Sequence, residues 1–456
     1  MSALEKSSDL AAQSVWHVDR IKDHVSKIGS GVTPSGGAAL YLDAGVPLLR
    51  SQNVHFDGLR LDDVAYIADE THDEMSGSKL RPRDVLLNIT GASIGRCTFV
   101  PDDFGEGNVN QHVCIIRPTA RLNHKFLTYC LSAPWGQDQV FSSFTGASRQ
   151  GLGQRDLGEI QVPLPPLASQ RRIAAYLHAS CAAIDAALAA KRRQLETLDA
   201  LALAVIHQAV TRGIHVGVKL KPSGMDWLPD VPAHWQVQQI KRTCEIVRGK
   251  FTHRPRNDPA FYDGEYPFVQ TGDITAAAKY ICTYSQTLNE LGLSVSKMFR
   301  RNTLVMSIAA NIGDVAILDF DACFPDSMVG LIPGQQTELT FLYYMMRAMK
   351  RIMLRSAVIS TQLNLNNVRI GTNFAAFPPR KEQQAIADYL DAKQQEVLAV
   401  KESLHEQIAT LAAYRKSLIH ECVTGQRRIT DEDVRAIDNR PAIVGIVDST
   451  REPAHA

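Results

Sequence analysis

One stretch of this chain occurs twice, and that duplication limits what the chain can fold into more than any other feature. VPLPPLASQRRIAAYL, from Val162 to Leu177, returns as AAFPPRKEQQAIADYL from Ala375 to Leu390. The offset of 213 (390 − 177) also relates Gln170 to Gln383, Ile173 to Ile386 and Tyr176 to Tyr389. It still holds where the segments end, with Val205 to Thr211 lying over Leu418 to Thr424. A repeat of this length is one structural element used twice.

Each copy reads as a long helix. Pro165-Pro166 and Pro378-Pro379 supply a first-turn start, and Gly213 and Gly425 supply the stop. In the first copy the seam steps by four and three through Leu177, Cys181, Ile184, Leu188, Lys191, Leu195, Leu198, Ala202 and Val205. The second copy does the same through Leu390, Gln394, Val397, Lys401, Leu404, Ile408, Leu411, Arg415 and Leu418. That spacing makes a narrow heptad seam, so the two helices are expected to pack on each other. The polar breaks differ, with Lys191 in one seam and Lys401 in the other.

The duplication extends beyond the helices. Trp16 to Lys22 parallels Trp235 to Lys241, Pro47 to Val54 parallels Pro267 to Ile274, and Val85 to Gly95 parallels Thr303 to Gly313. Short Val/Ile/Leu runs broken by Gly, Pro, Asn and Asp predict strands, and the runs at Phe126 to Leu131 and Phe341 to Met346 predict helix. The expected fold class is therefore α+β: two mixed α/β domains separated by two long helices, with an internal pseudo-twofold repeat. The expected boundaries are a tail at 1–14, a first domain at 15–162 and a first helix at 163–213. A Lys-, Pro- and Gly-rich linker follows at 214–231, then a second domain at 232–377, a second helix at 378–425 and a mobile tail at 426–456.

Composition excludes some functions and favours none. The net charge of +1 means that any nucleic-acid surface must be local or be completed by another subunit. The eight cysteines show no C-x-x-C pair and no zinc-type His spacing, and so read as buried thiols of a reducing cytoplasm. No run of about 18 apolar residues is evident, which argues against a membrane span. The chain lacks the phosphate-binding loop, the G-x-G-x-x-G turn, the G-x-S-x-G elbow and H-E-x-x-H, and its Pro pairs lack the Asn or Asp of an adenine methyltransferase motif. No catalytic residue and no metal ligand is therefore assigned, His207 and His420 at matched helix ends included.

What remains is a set of polar loop clusters at matched places. The first domain offers Ser30, Thr33 and Ser35, then Arg50, Gln52 and Asn53, then Asn108, Asn110 and Gln111, and finally Ser148, Arg149 and Gln150. The second offers Lys250, Thr252, His253, Arg254 and Arg256, then Gln270 and Thr271, then Asp326 and Ser327, and finally Thr361 and Gln362. These side-chain types read base edges, and Arg and Lys also neutralise phosphate.

With these residues in view, the chain resembles the specificity (S) subunits of type I restriction-modification systems. The resemblance runs from Trp16 to Gly425. It rests on the duplicated helices, their AVTRG and CVTG endings, and the segment from Lys221 to Trp235, KPSGMDWLPDVPAHW. It implies two target-recognition domains, each reading half of a split site on double-stranded DNA, held apart by antiparallel helices that dock two modification (methyltransferase) subunits. It implies no cofactor in this chain: S-adenosylmethionine, ATP and Mg2+ would be used by partner subunits, and whether restriction (nuclease and translocase) subunits join is left open. The reading from another class is a tandem-repeat scaffold that binds proteins through its helices and no DNA.

Overall fold

The structure is a computed structural model that describes residues 14–34, 36–37, 41–144, 151–356, 358–359 and 363–438. Residues 1–13 of the expected tail at 1–14 and the candidates Ser35, Ser148, Arg149, Gln150, Thr361 and Gln362 lie outside the described residues. The chain divides into two compact units, residues 1–192 with 406–456, and residues 193–405.

In the first unit an antiparallel sheet takes the order Val25–Ser30, Val113–Pro118, Val85–Asn88, Cys97–Phe99. Val85–Asn88 is buried at all four positions because a helix, His124–Ser132, covers one face and a second sheet closes the other side. In that second sheet Val46–Leu49 lies between Ala65–Ile67 and Asn108–Val109, and Leu48 pairs with Asn108 in parallel. The second unit repeats this plan. Its first sheet runs Cys244–Arg248, Met328–Pro333, Leu304–Ser307, Val315–Leu318, with Tyr280–Ile281 added as a fifth strand. Its second sheet centres on Tyr262–Phe268, whose Phe268 pairs in parallel with Cys323.

The long helices span Leu167–Arg212 and Arg380–Thr424. Their prolines sit one step earlier than the sequence suggests. Pro166 and Pro379 each offer the carbonyl that accepts the first helical bonds, from Gln170 N (3.0 Å) and Gln383 N (3.0 Å). The matched glutamines explain why this start is rigid, for each is only 2 % exposed. Gln170 Nε2 donates to the carbonyls of Arg121 (3.1 Å) and Pro165 (2.9 Å), and its Oε1 accepts from Asn123 N. Gln383 does the same with Gln336 (3.0 Å), Pro378 (2.8 Å) and Glu338 N. A buried amide whose donors and acceptor are all used ties helix to domain in both units. At the other ends Gly213 (φ 79°) and Gly425 (φ 83°) adopt the left-handed conformation that stops a helix.

Every residue assigned to the seam is buried or half-buried. In the first unit Cys181, Ile184 and Leu188 share a core with Leu418 and Cys422, and burial pushes the two thiols up to about 11 and about 12. In the second, Ile206, Ala209 and Val210 share a core with Ile386 and Leu390. Two ion pairs fix the register. Arg415 Nη2 donates to Asp185 Oδ2 at 3.1 Å in the first unit, and Lys401 Nζ to Asp199 Oδ1 at 2.6 Å in the second. Residue numbers sum to 600 in both pairs (185 + 415, 199 + 401), which is an antiparallel register.

Four expectations need correction. The segment 214–231 is not a loose linker: Leu220–Met225 and Leu228–Pro232 form a hairpin, and Met225, Leu228 and Val231 enter the second unit's core. Nor is the tail wholly free, since Asp431–Asp438 is a helix whose Val434 and Ile437 pack on the first unit's core. Cys282 is exposed, unlike the other seven thiols. Finally, Leu167–Arg212 is long and apolar enough by composition to cross a membrane, with a window of mean hydropathy 1.5 that is 44 % buried. That apolarity is largely alanine, and Leu177, Ile184 and Leu188 are spent on the core just described.

Candidate nucleic-acid interface

Both units bring their polar loops to one edge by the same device. Gly31 N donates to the carbonyl of Val113 and Gly249 N to that of Met328. A Cβ on Gly31 would lie 1.7 Å from Val109 O, and one on Gly249 would lie 2.2 Å from Pro325 O. Only glycine permits this approach, which sets the loop after Gly31 beside Asn110 and the loop after Gly249 beside Pro325. Asn110 N then donates to Leu49 O, so the segments following residues 31, 49 and 109 are neighbours in the first unit.

The predicted residues separate into two groups. Asn53 and Asn108 are 1 % and 0 % exposed, and their amides are consumed internally. Asn53 Oδ1 accepts from Arg50 N, and its Nδ2 donates to the carbonyls of Arg60 and Asp63. Asn108 Nδ2 donates to Met75 O and Ser78 Oγ, and its Oδ1 faces His72 Nδ1. Asn110, also buried, accepts from His112 N. Asn53 and Asn108 shape loops rather than face outward, which corrects the expectation that they offer their amides to a ligand. Thr33, Gln52 and Gln111 are exposed, while Ser30 and Arg50 are half-buried. Gln52 Nε2 donates to Asp63 Oδ2 at 2.5 Å, and Gln111 Nε2 lies 2.9 Å from His112 Nε2.

In the second unit Lys250, Thr252, Arg254 and Arg256 are exposed, and His253, Gln270, Thr271 and Ser327 half-buried. His253 stacks on Phe261 with ring centroids 3.9 Å apart and meets Asp258 at 3.0 Å. Asp326 is the hub of the basic loop. Its carboxylate is bonded to Arg256 and lies 3.5 Å from Arg254 Nη2, while its carbonyl accepts from Arg248 Nε at 2.7 Å. One acidic group thus offsets two exposed cations and holds them in place.

Two predicted clusters meet around a cavity of about 490 Å³, whose lining includes Arg256 and Gln270 with Phe251, Tyr262, Phe268 and Pro325. Asn257 and Gln286 also line it and were missed in the sequence, while Asp326 was named there beside Ser327 without its role as partner of the arginines. The only signal for Asn257 is proximity in number to Arg256, and Gln286 on an edge strand had none. Among the described residues no group of three His, Cys, Asp or Glu is placed to hold a metal. His207 stands edge-on to Trp227, and burial lowers the pKa of both His207 and His420.

Two like-built units, each gathering polar loops at one edge and each holding antiparallel stretches of the two long helices, define a recognition protein of duplicated design. The chain matches the family described as Type I restriction modification DNA specificity domain over residues 46–197 and 232–410, and it belongs to that family. It is a type I specificity subunit, a non-catalytic DNA-recognition component of the restriction-modification assembly. It is 22 % identical over 430 residues, 91 % of this chain and 94 % of the other, to a protein of Methanocaldococcus jannaschii described as a type I restriction enzyme MjaX specificity subunit. The Type I restriction enzyme EcoBI specificity subunit of Escherichia coli is 32 % identical over 136 residues, 28 % of this chain and 27 % of that one. Its fold resembles a chain solved for "Structural basis underlying complex assembly and conformational transition of the type I R-M system", with TM-score 0.68, 18 % identity and coverage of 90 % and 98 %. The HsdS subunit from Thermoanaerobacter tengcongensis follows at TM-score 0.51, 18 % identity and coverage of 90 % and 97 %.

Proposed function

We propose that each unit reads one half of a bipartite site on double-stranded DNA, that the helix pair sets the distance between halves, and that it docks two modification subunits. The expected recognition domains, 15–162 and 232–377, are the proposed readers. The observation that carries this reading is the matched construction of the two loop edges, each closed by a glycine approach at Gly31 or Gly249 and each presenting different exposed side chains. Two readers of one design with different tips suit an asymmetric split site. Docking is supported by exposed apolar residues on the helices, Leu201, Leu203, Leu398 and Val400 in the second unit and Tyr414 in the first. The modification subunits would bring S-adenosylmethionine, and restriction subunits, where present, would use ATP and Mg2+; the proposed location is cytoplasmic. No observation favours a scaffold without DNA.

Co-expression with a modification subunit of its own system tests this. The expected product is a complex of two modification subunits per chain that methylates a split sequence. A chain that stays a soluble monomer beside that subunit, and leaves DNA unmethylated, overturns the proposal.

The basic loop gives a finer test. Replacing Arg254 and Arg256 together by Ala is expected to weaken binding of the complex to any DNA and to flatten its salt dependence by up to about two units of slope. Half-site choice should hold if these side chains meet phosphate. Asp326→Asn should act in the opposite direction, because it frees both cations. An unchanged slope in both variants would remove this loop from the DNA surface.

A further inference from the structure

Arg50 and Gln270 stand at the same place in the two units, and the agreement reaches the level of single bonds. Each follows the central strand of its second sheet and precedes a short helical turn, Ser51–Asn53 or Thr271–Ala276. Arg50 N donates to Asn53 Oδ1 at 2.9 Å, and Gln270 N donates to Asp273 Oδ2 at 2.7 Å. The offset is 220 for both pairs (270 − 50, 273 − 53). The backbone is therefore clamped identically while the side chain differs.

Each side chain is also aimed by a neighbour from the adjacent strand region. Arg50 Nη2 donates to Asp63 O at 3.0 Å and lies 3.7 Å from Asp63 Oδ1, with its guanidinium over the Tyr41 ring at 5.7 Å. Gln270 Nε2 donates to Gln286 Oε1 at 2.9 Å, and both line the cavity with Tyr262 and Phe268. Both remain partly exposed. A guanidinium keeps further N–H donors beyond those bound here, which matches the two acceptors of guanine. A carboxamide keeps one donor and a lone pair, which matches the donor and acceptor of adenine.

We infer that Arg50 and Gln270 are a single base-reading position present once in each unit, with Arg50 set for guanine and Gln270 for adenine. The inference rests on the proposed reading of DNA halves by the two units. Asp63 and Gln286 are positioning residues, and the different partner in each unit accompanies the different reader.

The test is a methylation map of the complex carrying Gln270→Arg, compared with the unaltered complex. The expected result is a change from adenine to guanine at one position of one half-site, with a preference of roughly tenfold to a hundredfold, the other half-site being unaltered. A second variant, Gln270→Ala, should relax that position toward any base by a similar factor. Both half-sites unchanged in active complexes of both variants would overturn the inference and leave the split-site reading intact. Should the arginine variant be inactive, the alanine variant decides alone: relaxation at one position supports the assignment and unchanged specificity overturns it. An unaltered complex that methylates no split sequence would instead count against the reading beneath it.

Discussion

Inserting four helix-forming residues into each long helix is expected to leave both half-sites unchanged and lengthen the spacer between them by one or two base pairs. The insertions belong between Asp185 and Asp199 in the first helix and between Lys401 and Arg415 in the second, so that each ion pair keeps its partner. At 1.5 Å per residue the added length is about 6 Å, and a base pair rises about 3.4 Å. Four residues turn the helix through about 400°, some 40° past a full turn. One or two base pairs turn DNA through about 35–70°, at 10–10.5 pairs per turn, so the added lengths and rotations are of similar size. An insertion in one helix alone would break the register and is expected to cost assembly instead. Methylation mapping of the double insertion decides the matter. An active variant with its original spacer would show that the helices are not the ruler.

The largest stability effect is expected at Asp84. Its carboxylate is fully buried, accepts from Arg81 N at 2.8 Å, and takes two bonds from Arg117, Nε at 2.6 Å and Nη2 at 2.7 Å. Asp84→Ala leaves a largely buried guanidinium unpaired and an amide without its acceptor, a loss of about 3–5 kcal/mol. The strand register sets Asn88 level with Ser307, one place off the sequence match, so the counterpart of Asp84 in the second unit is Thr303, whose hydroxyl donates to Arg300 O at 2.7 Å. Removing that single neutral bond costs about 1 kcal/mol. Hydrogen exchange resolves the two units: strand Val85–Asn88 should lose protection in Asp84→Ala while Leu304–Ser307 keeps it. Equal losses from Asp84→Ala and Thr303→Ala would show that the ion pair adds nothing beyond one hydrogen bond.

The long helices were legible in the sequence because Pro-Pro starts, glycine stops and a heptad seam are local signals that tertiary packing has no reason to override. The hairpin at Leu220–Pro232 was hidden because Lys, Pro and Gly also suit a free connector, and only the core shows Met225 and Val231 to be inside. The loop candidates were legible as places and not as roles. Asn53 and Gln52 differ by one position and look alike as residues, yet one amide is spent on Arg60 and Asp63 carbonyls and the other is exposed. Which backbone groups need a partner depends on how the loop closes, and residue type does not record that. The same limit hid the role of Asp326, which comes from the arginines 70 and 72 positions before it.

The two ion pairs of the helix seam carry their charges unevenly: both anions, Asp185 and Asp199, are on the first helix and both cations, Lys401 and Arg415, on the second. Shifted by the repeat offset of 213, the cations fall on Leu188 and Ala202, and the anions on Leu398 and Ala412. Two copies of the first half would therefore set each aspartate against an apolar residue, and two copies of the second half would strand each cation in the same way. Pairs this exposed contribute about 1 kcal/mol or less apiece, so the arrangement biases partner choice without locking it. Were the chain cut between its repeats, the halves would favour each other over their own kind, and a bipartite site with two different halves would outcompete a palindrome.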